Sequence, residues 1–201
     1  MRMDLSRKWG RVGFSLSLVL AAAGLAAAAD GKPLVLQDMS WPEVEQYLKS
    51  NDMVIIPLGS TEQHGPQLPL GTDFYEAFEV SKRISARTGV VVAPVVQAGY
   101  SIYHSGFPGT LSLKPETLAQ VLVETMEVLQ RYGFRRFMLY NYHGGNHVAQ
   151  AMAIHRINHT TGGIAVAIGD GGEVPLQGKA PEKQVDDAHA GVDETSIMLY
   201  L

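Results

Sequence analysis

Four short apolar runs recur along the chain, and segments with helical patterning separate them. MVIIPL at 53–58 and the runs at 90–96, 136–140 and 164–168 are each bounded by turn residues and read as buried strands. Between them, Ser40-Trp41-Pro42-Glu43 has the pattern of a helix start, with Ser at the cap and Pro in the first turn, and predicts a helix to about Ser50. Asp73 with Glu76 predicts the capped start of a second helix, which runs to Arg87 and stops at Gly89. Pro115 and Glu116 open the clearest helix, in which Leu118, Val121, Leu122, Thr125, Met126 and Leu129 recur at helical spacing before Gly133. A further helix is expected from His147 to about Thr160, and a polar loop from Gly169 to Ala188. Strand alternating with helix in this way predicts a layered α/β/α fold around a mostly parallel central sheet. The last helix, expected near Glu194, would turn Ile197, Met198 and Leu201 to the core. A helix of about eight residues is marginal by itself, so a C-terminal portion beyond Leu201 is expected.

Three polar segments, each placed after an apolar run, carry the residues with chemistry. The segment from Gly59 to Asp73, GSTEQHGPQLPLGTD, offers Glu62, His64 and Asp73. NYHGGN, from Asn141 to Asn146, offers His143, and the segment from Asp186 to Ser196 offers His189 and Glu194. Ligands of open parallel sheets bind beyond the carboxyl ends of the strands, so this fold would bring the three segments to one crevice. A mixed set of imidazoles and carboxylates suits a divalent cation. Taken singly, Glu62 is an ordinary loop acid, Asp73 an ordinary helix cap and His143 a polar residue under a turn. Their joint placement after successive strands favours the metal site. His155 and His159 lie one helical turn apart with no acid between them, and the helix dipole accounts for them.

The N-terminal segment reads as a leader. Arg2, Arg7, Lys8 and Arg11 precede an apolar stretch from Val12 to about Leu25, and Ala27-Ala28-Ala29 supplies a small-residue cleavage site. Residues 1–29 are therefore expected to be a signal peptide and residues 30–201 a single domain. Their four basic residues and one acid make the remainder more acidic than the whole chain, which has a formal charge of −4. That balance argues against a nucleic-acid partner and against an anionic membrane surface. The sequence contains no cysteine, which excludes disulfides and thiolate ligands. The expected location is periplasmic or secreted, in a bacterium, with no stable membrane association after cleavage.

These motifs resemble the creatininase family of metal-dependent amidohydrolases. The likeness rests on the segment from Gly59 to Asp73, the HSGFPGTLSL segment from His104 to Leu113, the HGGN loop and the HAGVDETS ending, in that order. It implies a homo-oligomer with two divalent metal ions that hydrolyses a C–N bond of a small-molecule amide, cyclic or linear. Glu62, His64, Asp73 and His143 then match metal ligands, with Asp73 bridging both ions, and His189 matches a catalytic histidine. Glu194 matches the glutamate of the HAGVDETS segment and is expected to serve as ligand and catalytic group. Creatininase itself has a carboxylate ligand where this chain has Gly145 and an aromatic residue where it has Gly144, which argues against creatinine as the substrate. Gln67 stands where the family often has His. Glu194 is expected to take the place of the carboxylate absent at Gly145. Tyr103, His104, Gly144 and Gly145 are expected to contact substrate.

Zn²⁺ is the first expectation for the metal, with Mn²⁺ or Fe²⁺ also compatible with these ligands. A histidine at 189 suits proton donation to a departing nitrogen. The competing reading is a periplasmic metal- or ligand-binding protein without turnover. Retention of both His189 and Glu194 favours the enzyme.

Overall fold

A computed structural model describes residues 31–168 and 189–201. The expected leader and the expected loop from Gly169 to Ala188 lie outside the described residues. Four parallel strands form one sheet in the order β2-β1-β3-β4: β1 is Met53–Leu58, β2 Val91–Val92, β3 Arg136–Asn141 and β4 Ile164–Ile168. The helices are α1 (Trp41–Leu48), α2 (Thr72–Thr88), α3 (Pro115–Tyr132), α4 (His147–Thr160) and α5 (Val192–Tyr200). Among the described residues, no helix is long and apolar enough to cross a membrane.

The two-residue period of a strand sorts the core. Val54, Ile56 and Leu58 of β1 face one side, where Leu118, Leu122 and Met126 of α3, Ala153 and Ile157 of α4, and Phe134, Phe137 and Leu139 pack together. Ile55 faces the other side with Val92 and Val90, under Phe78 and Ile84 of α2. The layers are thus α3 and α4 on one face and α2 on the other, as the alternation of runs predicted. Gly89 and Gly133 end α2 and α3 in the left-handed conformation, with φ of 69° and 119°, a conformation that costs a glycine little.

Several local expectations are corrected. The run at 90–96 gives only a two-residue strand, because Pro94 has no N–H to donate to a ladder. The chain rejoins β1 at one bridge, Leu58 to Val96. In α3, Ala119 and Val123 are buried, whereas Val121 is 43% exposed, so the inward stripe is displaced from the one read in the sequence. Asp73 does not cap α2; Gly71 holds that position and Asp73 lies in the first turn. Glu76 is buried instead of capping at the surface. The last helix begins at Val192, two residues before Glu194. It packs against α2 and half-buries Ile197 and Met198, whereas Leu201 remains exposed.

The corrected stripe on α3 has a stability consequence. Met126→Ala should destabilise the protein by about 2–5 kcal/mol through the cavity it leaves, whereas Val121→Ala should change stability by about 0.5 kcal/mol or less. Urea unfolding followed by circular dichroism measures both, and equal losses would contradict the assigned face.

Candidate metal centre

The strand ends set the site. β1 stops at Leu58, and the loop that follows carries Glu62 and His64 before α2 begins and presents Asp73. β3 stops at Asn141, two residues before His143. Backbone and amide hydrogen bonds shape each loop and join the two. Tyr142 N–H donates to the Leu58 carbonyl at 2.9 Å, and Glu62 N–H to the Leu70 carbonyl at 2.8 Å. Asn146 Nδ2 donates to the Gly59 carbonyl at 3.0 Å and to Asn141 Oδ1 at 3.2 Å, and Asn141 Nδ2 donates to the His143 carbonyl at 2.9 Å. The two asparagines of the NYHGGN segment are therefore clamps that fix where His143 stands. Packing also explains Gly145. A Cβ there would come within 2.0 Å of the Tyr100 carbonyl oxygen and 2.6 Å of both His143 Nε2 and the Tyr103 hydroxyl.

Three histidines follow one rule. His64 Nδ1 lies 3.0 Å from the Glu62 carbonyl, and its Nε2 lies 3.0 Å from Asp73 Oδ1 and 3.9 Å from Glu194 Oε2. His143 Nε2 lies 3.0 Å from the Tyr100 carbonyl, and its Nδ1 lies 3.1 Å from Asp73 Oδ2 and 3.2 Å from Glu62 Oε1. His189 Nε2 lies 2.8 Å from the Gln63 carbonyl, and its Nδ1 lies 3.7 Å from Glu62 Oε1. A carbonyl only accepts, so each of these rings gives its one neutral-state N–H to the main chain. The second nitrogen of each ring then carries a lone pair aimed at a carboxylate. Two lone pairs facing each other need a cation between them, either a proton or a metal ion.

The electrostatics agree. Burial by itself would pull the His64 pKa down, but Asp73 outweighs it and raises the value to about 9. For His143 burial is again outweighed, by Asp73 and Glu62, and the value rises to about 10. Asp73 is held below the usual carboxylate range, because the two imidazoles outweigh its burial. Glu194 is raised, chiefly by burial and against the pull of His64. Glu62 Oε2 and Asp73 Oδ2 are buried without an aligned hydrogen-bond donor, although His143 Nδ1 lies within 3.1 Å of the latter. Glu62, Asp73 and His143 each bring one donor atom within 4.8 Å of the other two, and so do His64, His189 and Glu194. The residues fit divalent-cation binding: imidazole ligands with the distal N–H tied to a carbonyl, and oxygens of Glu62 and Asp73 without an aligned donor.

A cavity of about 150 Å³ opens over the cluster, and Tyr103, His104, Tyr142 and Gly144 complete its wall. It is small beside typical ligand pockets, so it fits a small molecule or the end of a chain. Gly144 has open space where a side chain would be. Gly145, expected to contact substrate, is packed beneath Tyr100 and Tyr103 and does not line the cavity. The sequence reading passed over Tyr142, although it sits within the NYHGGN segment. It also missed what Glu76 does. One helical turn beyond Asp73, Glu76 is fully buried with no well-aligned donor, and burial first, then Glu194 and Asp73, raise its pKa to about 8 against the nearby Tyr142 hydroxyl. The i,i+3 spacing from Asp73 was the available signal.

The family model described as "Creatininase: Creatinine amidohydrolase" matches residues 37–201. A 3-dehydro-scyllo-inosose hydrolase from Thermotoga maritima is 37% identical over 121 residues, which is 60% of this chain and 39% of that protein. A mycofactocin precursor peptide peptidase from Mycolicibacterium smegmatis is 39% identical over 155 residues, 74% of this chain and 58% of that protein. The chain thus spans well under two thirds of the length of these relatives. Among solved structures, a manganese creatininase superposes with a TM-score of 0.68 at 27% identity. A Zn-Zn type creatininase variant superposes with a TM-score of 0.69, also at 27% identity. Each superposition covers 85% of this chain and 73% of the other.

The facing lone pairs set a pH dependence. In cation-free protein, His64 and His143 bind protons in the folded state up to about pH 9 and 10, and release them near 6.5 on unfolding. Their stabilisation is complete below about pH 6.5 and is lost as the pH rises through 9 to 10. A divalent cation displaces those protons, so zinc should bind more tightly as the pH rises from 6 to 9 and should release protons on binding. Calorimetric titration in buffers of different ionisation enthalpy measures this release; zinc binding without it would contradict the arrangement.

Proposed function

Because the chain belongs to the creatininase family, we propose that it is a metal-dependent amidohydrolase that cleaves a C–N bond of a small cyclic or linear amide. The observation that carries this reading is the set of three imidazoles whose bare nitrogens all face Glu62, Asp73 and Glu194. The relatives named hydrolase and peptidase support hydrolysis, and the peptidase brings the end of a peptide within the proposed substrate class. The manganese and zinc creatininases support those two metals.

Glu62, Asp73 and His143 would hold one ion. His64 and Glu194 would hold the other, with Asp73 between them through its two oxygens. A bound pair of divalent ions acidifies water and draws electron density from a carbonyl. Every further task falls to the protein. Asp73 shares its charge between both positions, because Oδ1 faces His64 and Oδ2 faces His143. Glu194 stands in for the carboxylate that Gly145 lacks, and it reaches the His64 side of the cluster. His189 keeps Nε2–H on the Gln63 carbonyl. Its bare Nδ1 is free to take a proton from the attacking water and to return it to the leaving nitrogen. Tyr103 and His104 border the space where the amide would lie. On the leader read in residues 1–29 we also propose export to the periplasm or medium, and on the family likeness a homo-oligomer.

Three experiments test this reading. Protein loaded with zinc or manganese should contain two equivalents per chain and turn over at least one member of a panel of lactams, formamides and short peptides. Glu194→Ala should lose one equivalent by elemental analysis and keep the other; retention of both would remove Glu194 from the proposed ligands. His189→Ala should lower kcat about 10²–10⁴-fold, the range expected when a proton-transfer group is removed. An unchanged kcat would remove it from the proton path.

A further inference from the structure

His104 and His189 stack in the cavity wall with ring centroids 4.6 Å apart, and one residue reaches both rings. The Gln63 side-chain nitrogen lies 2.9 Å from His104 Nδ1 and 3.2 Å from His189 Nε2. Which end of that amide is the nitrogen is decided on the other side, where Gly65 N–H donates to Gln63 Oε1 at 3.0 Å. The nitrogen end is therefore a donor, and His104 Nδ1 must accept from it. The His189 contact resolves differently. The Gln63 carbonyl is nearer, at 2.8 Å, and it can only accept, so His189 Nε2 bears a proton and turns it to the main chain. The 3.2 Å approach of the amide nitrogen to the same atom is then a contact between two donors and not a hydrogen bond.

We propose that Gln63 is a positioning residue that sets the tautomer of both cavity histidines, so that His104 offers an Nε2–H donor to the oxygen of a bound amide. The His104 part rests on the amidohydrolase reading; the tautomer assignment does not. With Nδ1 satisfied by Gln63, the proton of neutral His104 has only Nε2 to occupy. Burial first lowers its pKa, against the pull of the Glu62 carboxylate. A neutral imidazole N–H beside a carbonyl oxygen stabilises charge that grows there without giving up its proton. His104 could otherwise be counted with Glu62 and His189 as a third cation-binding group. The Gln63 amide removes it from that group by occupying Nδ1. Both histidines thus take their roles from one glutamine between two candidate ligands, His189 through the backbone carbonyl and His104 through the side chain.

Long-range proton–nitrogen correlation NMR of the zinc-loaded full chain, labelled with ¹⁵N-histidine, tests this without substrate. Both rings should carry their proton on Nε2. In Gln63→Glu the partner at His104 becomes an acceptor, so His104 should turn to the Nδ1–H form while His189 stays unchanged. In Gln63→Met, His104 should become a mixture of both forms. A wild-type His104 with its proton on Nδ1, or a His104 that does not respond to either substitution, overturns the proposal. For any amide that the wild type cleaves, Gln63→Glu should lower kcat about tenfold or more with zinc content unchanged; an unchanged kcat overturns the donor role of His104. If no amide is cleaved, the amidohydrolase reading fails and the NMR result alone decides the tautomer assignment.

Discussion

Each imidazole at the cluster has its proton held by the main chain. The carbonyls of Glu62, Tyr100 and Gln63 accept from His64, His143 and His189, and everything else about the site follows from that commitment. A ring held this way cannot satisfy a carboxylate with its other nitrogen unless something positive joins them. Glu62 and Asp73 are buried, each with an oxygen that lacks an aligned hydrogen-bond donor, a costly arrangement for charged groups taken out of water. The same feature that would destabilise an ordinary core makes this one receptive to cations. The raised pKa values of His64 and His143 have the same origin.

The fold makes the commitment possible by ending β1 and β3 side by side. The parallel register from Met53–Arg136 to Leu58–Asn141 brings both strands to the same edge of the sheet. The loops beyond them are joined by Asn146, whose amide bonds the Gly59 carbonyl across the gap and Asn141 within its own loop. α2 then begins where its first turn can place Asp73 between the two loops. The apolar core on either face of the sheet has no direct part in the chemistry. Its work is to fix the position of the strand ends, since a shift of about 1 Å in a ligand is enough to weaken a site of this kind.

Much of this was legible in the residues. The alternation of apolar runs and helical periods gave the layers, and the segments at 59–73, 141–146 and 186–196 gave the donors. What failed did so for identifiable reasons. The run at 90–96 looked uniform in hydropathy, but Pro94 lacks the donor a ladder needs, so β2 is short. Glu76 read as a surface cap because nothing in its neighbours announced that α2 would bury it. Gly145 read as a substrate contact, and it is instead the place where Tyr100 and Tyr103 leave no room for a side chain. Gln63 went unnoticed because an amide gains its meaning here only from atoms brought to it by folding: the Gly65 N–H beside it and two histidines 41 and 126 residues away. Sequence shows which side chains can bind. Which nitrogen of a ring is left free depends on the tertiary structure.

The two halves of the cluster are anchored unequally. Glu62, Asp73 and His143 are all buried, whereas His189 and Glu194 are only half-covered and come from the segment before α5 and from its first turn. Outside the cluster, that segment is held to the first loop by the Gln67 side chain, which donates to the Ala190 carbonyl at 2.9 Å. An ion held by the inner trio would exchange slowly with the medium, and one held through Glu194 on the His64 side quickly. A chelator would then strip such a protein in two stages, and the half-emptied form would have a lifetime of its own.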